Sequence, residues 1–172
     1  MSATLEKLNR TSQATAENAL LSCCGSRRWV QNMAEARPFS DVAALLNQAE
    51  QIWQNLETKD WLEAFAAHPK IGAKSGVPQA TAQSAEWSNS EQSDTQSVAD
   101  SVRNELEEAN RLYEEKFGFI FIVCATGKSA EEMLEICQER LNNDADLEIR
   151  IAANEQRKIT EIRLKKLLES GI

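Results

Sequence analysis

The chain has 172 residues, 42% of them hydrophobic and 27% charged, with a formal net charge of −8 and a pI near 4.8. Such a length suits one domain, and this much apolar material supplies a packed core, which excludes a disordered chain. The acidic balance excludes ordinary recognition of a phosphate backbone, which needs clustered Lys and Arg, and no apolar run approaches the roughly 20 residues of a membrane span.

The N-terminus, Met1-Ser2-Ala3-Thr4-Leu5-Glu6-Lys7, carries no apolar signal region, and the expectation is a cytoplasmic protein. Leu20, Leu21 and Cys24 form a helical stripe that Gly25 is placed to close. Ser26 opens the next segment, with Trp29, Val30 and Met33 on one face and an end before Pro38. Val42, Leu45, Leu46, Ala49, Ile52, Trp53 and Leu56 recur at i, i+3, i+4, i+7, which predicts an amphipathic helix capped by Ser40. Thr58 is the expected cap of a further helix with Trp61, Leu62 and Phe65 on its apolar face. That helix is expected to stop at His68, because Pro69 biases the residue before it to extended or turn geometry. Gly72, Gly76 and Pro78 mark a loop.

Val98, Val102, Leu106, Ala109, Leu112 and Tyr113 predict a long acidic helix. Ser129 and Glu132 have capping-box spacing ahead of Met133, Leu134, Cys137 and Leu141. Ile151, Ile159, Ile162 and Leu167 belong to a final long helix rich in Glu, Arg and Lys. Helical periodicity dominates, so the expected architecture is all-α, a single-domain helical bundle over residues 1–172.

One stretch departs from that pattern. Phe117-Gly118-Phe119-Ile120-Phe121-Ile122-Val123-Cys124-Ala125 is a continuous apolar run that reads, by itself, as a buried strand. A lone strand has no neighbour to satisfy its N–H and C=O groups, and no second convincing strand is visible. The run is therefore either a buried helical segment or an irregular one whose backbone groups bind something, and free backbone donors inside a protein suit a small polar ligand.

His68 is the only histidine, and so the only side chain whose ordinary pKa, about 6.5, lies near neutrality. It stands at a helix-to-loop junction, where scaffolds mount functional groups, although a histidine that merely closes a helix fits the same pattern. Cys23, Cys24, Cys124 and Cys137 form no C-x-x-C, and one histidine leaves little for a zinc site. Free, mostly buried thiols in a reducing compartment are the expected state. Lys128-Ser129 lacks the rest of a phosphate-binding loop.

Three segments occur together in order: His68-Pro69-Lys70-Ile71-Gly72; Ser84-Ala85-Glu86-Trp87-Ser88-Asn89-Ser90-Glu91-Gln92; and Tyr113 to Phe121, continuing through Gly127-Lys128-Ser129. With Cys23-Cys24-Gly25-Ser26 and the tail Glu155 to Leu164, they closely resemble the OHCU decarboxylase family, where OHCU is 2-oxo-4-hydroxy-4-carboxy-5-ureidoimidazoline, an unstable product of urate oxidation. The resemblance implies an all-α homodimer that decarboxylates OHCU to (S)-allantoin without metal or organic cofactor. It implies His68 as proton donor, with Glu91 as its catalytic companion. It further implies substrate contacts from Pro69, Ser88, Glu91, Gln92, Arg163 and the main chain of Phe121, Ile122, Val123, Cys124 and Ala125.

Beside the resemblance, simpler readings stand for several of these residues. Ser88 and Glu91 also have the spacing of a capping box, and a helix N-terminus at Ser88 would itself favour an anion. Arg163 fits a solvated face of a basic helix, and Arg157 is the neighbour most easily confused with it. For the whole chain, the alternative to a lyase is a non-catalytic helical domain that holds allantoin-like ureides, and a third is an acidic helical interaction protein.

Overall fold

The computed structural model describes residues 3–71, 82–91 and 100–172. Among the described residues all regular structure is helical: α1 (Ala3–Arg10), α2 (Gln13–Leu21), α3 (Arg27–Glu35), α4 (Val42–Gln54), α5 (Thr58–Ala66), α6 (Ala82–Glu91), α7 (Asp100–Phe117), α8 (Ala130–Arg140) and α9 (Ala145–Ser170). The expected all-α class holds. Contacts gather the chain into two units, Met1–Ala64 with Arg157–Ile172, and Phe65–Gln156. The predicted loop of Gly72, Gly76 and Pro78 lies outside the described residues, as does Val98.

In the first unit, Leu5, Leu8, Leu20, Trp29, Met33 and Leu45 are fully buried. The Trp29 indole N–H donates to the Ala49 carbonyl at 3.1 Å, which ties α3 to α4 without leaving a buried donor unpaired. Ser26 caps α3 as predicted, accepting from the Trp29 N–H at 3.3 Å. Two other expected caps move. Asp41, not Ser40, caps α4 and accepts from the Ala44 N–H at 2.8 Å, while Ser40 donates to the Asp41 carboxylate. A carboxylate beside the positive end of the helix is favoured over a hydroxyl one residue further out. Thr58 is itself the first residue of α5, and the Asp60 carboxylate reaches back to accept from the Glu57 N–H at 3.1 Å. Gly25 does not close α2, which ends at Leu21 with Ser22 as a right-handed cap.

In the second unit the core is built from Leu106, Ala109 and Tyr113 of α7, Phe121, Val123 and Ala125 of the following segment, and Met133, Leu134 and Cys137 of α8. The Tyr113 ring meets Phe117 at 4.7 Å and Phe121 edge-on at 5.3 Å, geometries that add to simple burial. Gly118, at φ +78°, ends α7, its N–H donating to the Glu114 carbonyl at 2.8 Å. A second positive-φ glycine, Gly127, turns the chain between Ala125 and Lys128 just before α8. There the predicted capping box is present in both directions: Ser129 accepts from the Glu132 N–H and Glu132 from the Ser129 N–H.

Residues 119–125 are irregular, with no strand beside them among the described residues. The buried-helix reading of this run therefore does not hold; the segment is irregular.

Candidate functional site

An unpaired irregular segment survives in a core only if something else occupies its polar groups. Here side chains do part of that work. The Arg140 guanidinium donates through Nη1 to the Ile122 carbonyl at 2.7 Å. Lys128 donates to the Cys124 carbonyl at 2.8 Å, and the Glu155 carboxylate accepts from the Cys124 N–H at 2.8 Å. Phe121, Ile122 and Val123 are buried, and their N–H groups have no hydrogen-bond partner among the described residues. Buried donors without a protein partner are available to a small ligand with carbonyl oxygens.

Arg140 is itself held. Its Nε and Nη2 atoms lie 2.7 and 2.5 Å from one oxygen of Glu148, a carboxylate with no exposed surface. The Tyr113 hydroxyl donates to the same carboxylate, and Asn143 donates to its second oxygen at 2.8 Å. The guanidinium lies 4.8 Å from the centre of the Phe121 ring, a cation–π contact within the usual range. Burial pushes the Tyr113 phenol up, the Arg140 charge works against that shift, and the hydrogen bond to Glu148 adds to it. The network is thus a hydrogen-bonded buried ion pair, and it fixes one carbonyl of the irregular segment.

The histidine is placed from the other end of the same unit. α5 stops at Ala66, and the His68 N–H donates to the Phe65 carbonyl at 3.1 Å, so the proline-induced stop falls where predicted. His68 and Pro69 are half-buried. The His68 Nε2 atom lies 2.6 Å from Oε1 of Gln156, a fully buried residue of α9. Lys70 turns away to an exposed pair with Glu114 on α7.

Ser88 is buried inside α6, which begins at Ala82. The capping-box reading of Ser88 and Glu91 therefore fails, and with it the idea of a helix N-terminus at that point. Its failure is local: α6 is already formed over its first turns before Ser88 is reached. Ser88 and Glu91 both lie within α6, three residues apart. The Glu91 side chain and Gln92 lie outside the described residues.

Arg163 belongs to the first unit and is 4% exposed, so the solvated-face reading does not apply to it. Its charge acts on the neighbouring thiols of Cys23 and Cys24. Burial outweighs that charge and pushes both thiols up, Cys24 to about 12, which leaves them as packing groups without thiolate character. Arg157, half-buried, faces Glu50 and Glu161 at 3.8 and 3.6 Å.

Gln156 and Arg140 were given no role from the sequence. The available signal was a polar residue at a core position. Ala152, Gln156, Ile159 and Arg163 recur along α9 at the spacing of a buried stripe, and α8 carries Arg140 on the turn after Met133, Leu134 and Cys137.

Residues 9–165 match the profile of a protein family, OHCU decarboxylase. The "Uric acid degradation bifunctional protein TTL" of Arabidopsis thaliana is 44% identical over 147 residues, 84% of this chain and 45% of that protein. A "2-oxo-4-hydroxy-4-carboxy-5-ureidoimidazoline decarboxylase" of Haloferax volcanii is 25% identical over 168 residues, 97% of each chain. The chain thus spans less than half the length of the Arabidopsis relative and nearly all of the Haloferax one. Among solved structures, one described as "OHCU decarboxylase in the presence of (S)-allantoin" superposes with a TM-score of 0.76 at 38% identity, covering 92% of this chain and 99% of that one.

Proposed function

The chain belongs to the OHCU decarboxylase family, and from that membership we propose that it converts OHCU to (S)-allantoin and CO2, with His68 as the proton donor. The chemistry asks for little. When the bond to the carboxyl carbon breaks, its electron pair moves into the adjacent ring C=N and CO2 departs; the ring nitrogen takes up the proton that the hydroxyl gives up as it becomes a carbonyl, and one further proton, delivered to a single face of the ureido-bearing carbon, completes a chiral product. The ring itself is the electron sink, so the proposed reaction uses no cofactor. The protein's tasks are to hold the ring and carboxylate in a fixed orientation and to deliver the proton, a contribution typically worth about 10²–10⁴-fold in rate.

The observation that carries the reading is the partnered, half-buried His68, the chain's one histidine, in the same unit as the buried N–H groups of Phe121 to Val123. In this proposal those N–H groups, with Cys124 and Ala125, bind the oxygens of the ring or ureido group. Arg163 supplies a fork suited to a carboxylate or urea-like carbonyl. Glu91 accepts ring or ureido N–H hydrogens, Ser88 and Gln92 add polar contacts, and Pro69 shapes the wall beside His68. We further propose that the protein works as a cytoplasmic homodimer. The free cysteines among the described residues fit a reducing compartment, and the exposed side chains of Leu112 and Leu147 offer apolar surface for a second copy.

Circular dichroism of freshly generated OHCU tests the activity. Wild type is expected to accelerate one-handed allantoin formation, and His68→Asn to lose about 10²–10⁴-fold of that acceleration. Equal rates for both above background would remove His68 as the donor. Binding of allantoin with no acceleration by either would replace the lyase with the non-catalytic ureide-binding domain.

A further inference from the structure

We propose that Gln156 is a positioning residue for His68, its side-chain carbonyl accepting from Nε2–H and so fixing both the orientation and the tautomer of the ring; the inference rests on the decarboxylase reading for its effect on rate. The contact is close, 2.6 Å between Nε2 and Oε1. The two side chains are held at their own ends. His68 follows directly on α5 through its main-chain bond to Phe65. Gln156 has no exposed surface and sits on the stripe of α9 that also buries Ala152, Ala153 and Ile159. A buried amide must be hydrogen-bonded to repay its desolvation, and a glutamine pinned in this way is a fixed acceptor rather than a mobile one.

The adjacent residue adds a second observation. Glu155 accepts from the Cys124 N–H at 2.8 Å. One turn of α9 therefore grips both the histidine and the irregular segment with the buried N–H groups, and sets their spacing within one unit. If Nε2 keeps its proton against Gln156, the proton His68 gains and loses is the one on Nδ1. The opposite assignment, with the amide nitrogen turned toward a bare Nε2, would put the neutral ring's proton on Nδ1 instead.

Because the chain has a single histidine, histidine labelled with ¹⁵N gives only two ring signals, which need no assignment by mutation. Above the titration of the ring, wild type is expected to show a protonated-type nitrogen at Nε2 and a bare-type nitrogen at Nδ1. Gln156→Glu keeps an oxygen at that place and should preserve the pattern, whereas Gln156→Leu should move both signals toward the exchanging mixture of a free imidazole. In the OHCU assay Gln156→Leu should lower kcat about tenfold or more with KM changed less than about twofold, the mark of a group that acts on the reacting step rather than on binding. A proton on Nδ1 in the wild type would overturn the assignment, as would an unchanged pattern in Gln156→Leu or a loss confined to KM. Should Gln156→Leu fail to fold, the wild-type and Gln156→Glu spectra still decide. Should the wild type fail to accelerate OHCU loss, the decarboxylase reading falls, while the spectra still report whether Gln156 holds the ring.

Discussion

Arg140→Met isolates the network that supports the irregular segment from Phe119 to Ala125. The substitution removes a guanidinium whose three nitrogens serve Glu148, Tyr113 and the Ile122 carbonyl, and replaces it with an apolar chain of similar reach. Glu148 is then a carboxylate with no exposed surface and no cation, keeping only Tyr113 and Asn143 as donors. Breaking a buried pair from one side costs about 3–5 kcal/mol, and a carbonyl left without its donor adds about 1–3 kcal/mol. The two terms overlap, so a loss of about 4–6 kcal/mol is expected, a large part of a total stability of about 5–15 kcal/mol. For a chain of this size each kcal/mol moves the melting midpoint by about 2–4 °C, so the midpoint should fall by roughly 8–24 °C. Arg140→Met combined with Glu148→Leu removes both charges. What remains is the bare Ile122 carbonyl and an unpartnered Tyr113 hydroxyl, about 2–6 kcal/mol together at about 1–3 each, with the part-buried Asn143 amide also losing its acceptor; no uncompensated charge is left, so the double variant should lose no more stability than Arg140→Met alone. Urea and thermal unfolding of wild type, both single variants and the double variant at pH 7 complete the cycle. A single-variant loss below about 1 kcal/mol, or a double variant equal to the sum of the singles, would show that the pair does not hold the segment.

Two further outcomes follow from local features. Burial holds the Cys24 thiol up to about 12 against an ordinary 9.0; the unfolded chain releases this proton first, so the contribution is complete below about pH 9 and is lost as pH rises toward about 12, by up to about 1.4 kcal/mol per pH unit. Cys24→Ala should flatten the decline of urea stability between about pH 9 and 10.5, and an unaltered slope would mean the folded state does not retain the proton. Ser129→Ala removes the hydroxyl half of the α8 capping box and should cost about 1 kcal/mol in chemical unfolding; no measurable loss would mean that water serves the Glu132 N–H equally well.

What the sequence revealed, and what it hid, divides by the range of the interaction. Ser26 and the Ser129–Glu132 box are read directly because cap and partner lie within three residues. The stop before His68 is read because a proline acts on its immediate neighbour. The move of the α4 cap from Ser40 to Asp41 is a contest between adjacent candidates that spacing does not resolve. The run from Phe119 to Ala125 defeats periodicity for a different reason. Its character depends on Arg140 and Glu155, which come to it from α8 and α9, and nothing in a local window records that an arginine will reach the Ile122 carbonyl. The two units were equally invisible, since helix spacing carries no information about which helices pack together.

The polar residues of α9 occupy core positions that an apolar stripe would ordinarily fill. Glu148, Gln156, Thr160 and Arg163 are all buried on one helix, Glu148 and Gln156 completely. Stability alone would favour leucine or alanine at such positions, because each buried polar group must recover its desolvation through hydrogen bonds. Glu148 recovers it by anchoring Arg140, and through Arg140 the Ile122 carbonyl; Gln156 does so at the His68 ring. In both cases the partner is a group that the proposed chemistry needs held still. A helix that spends core positions on carboxylate, amide and guanidinium groups is organised around what those groups orient, and the order of residues along it, more than its apolar stripe, carries the functional content of this chain.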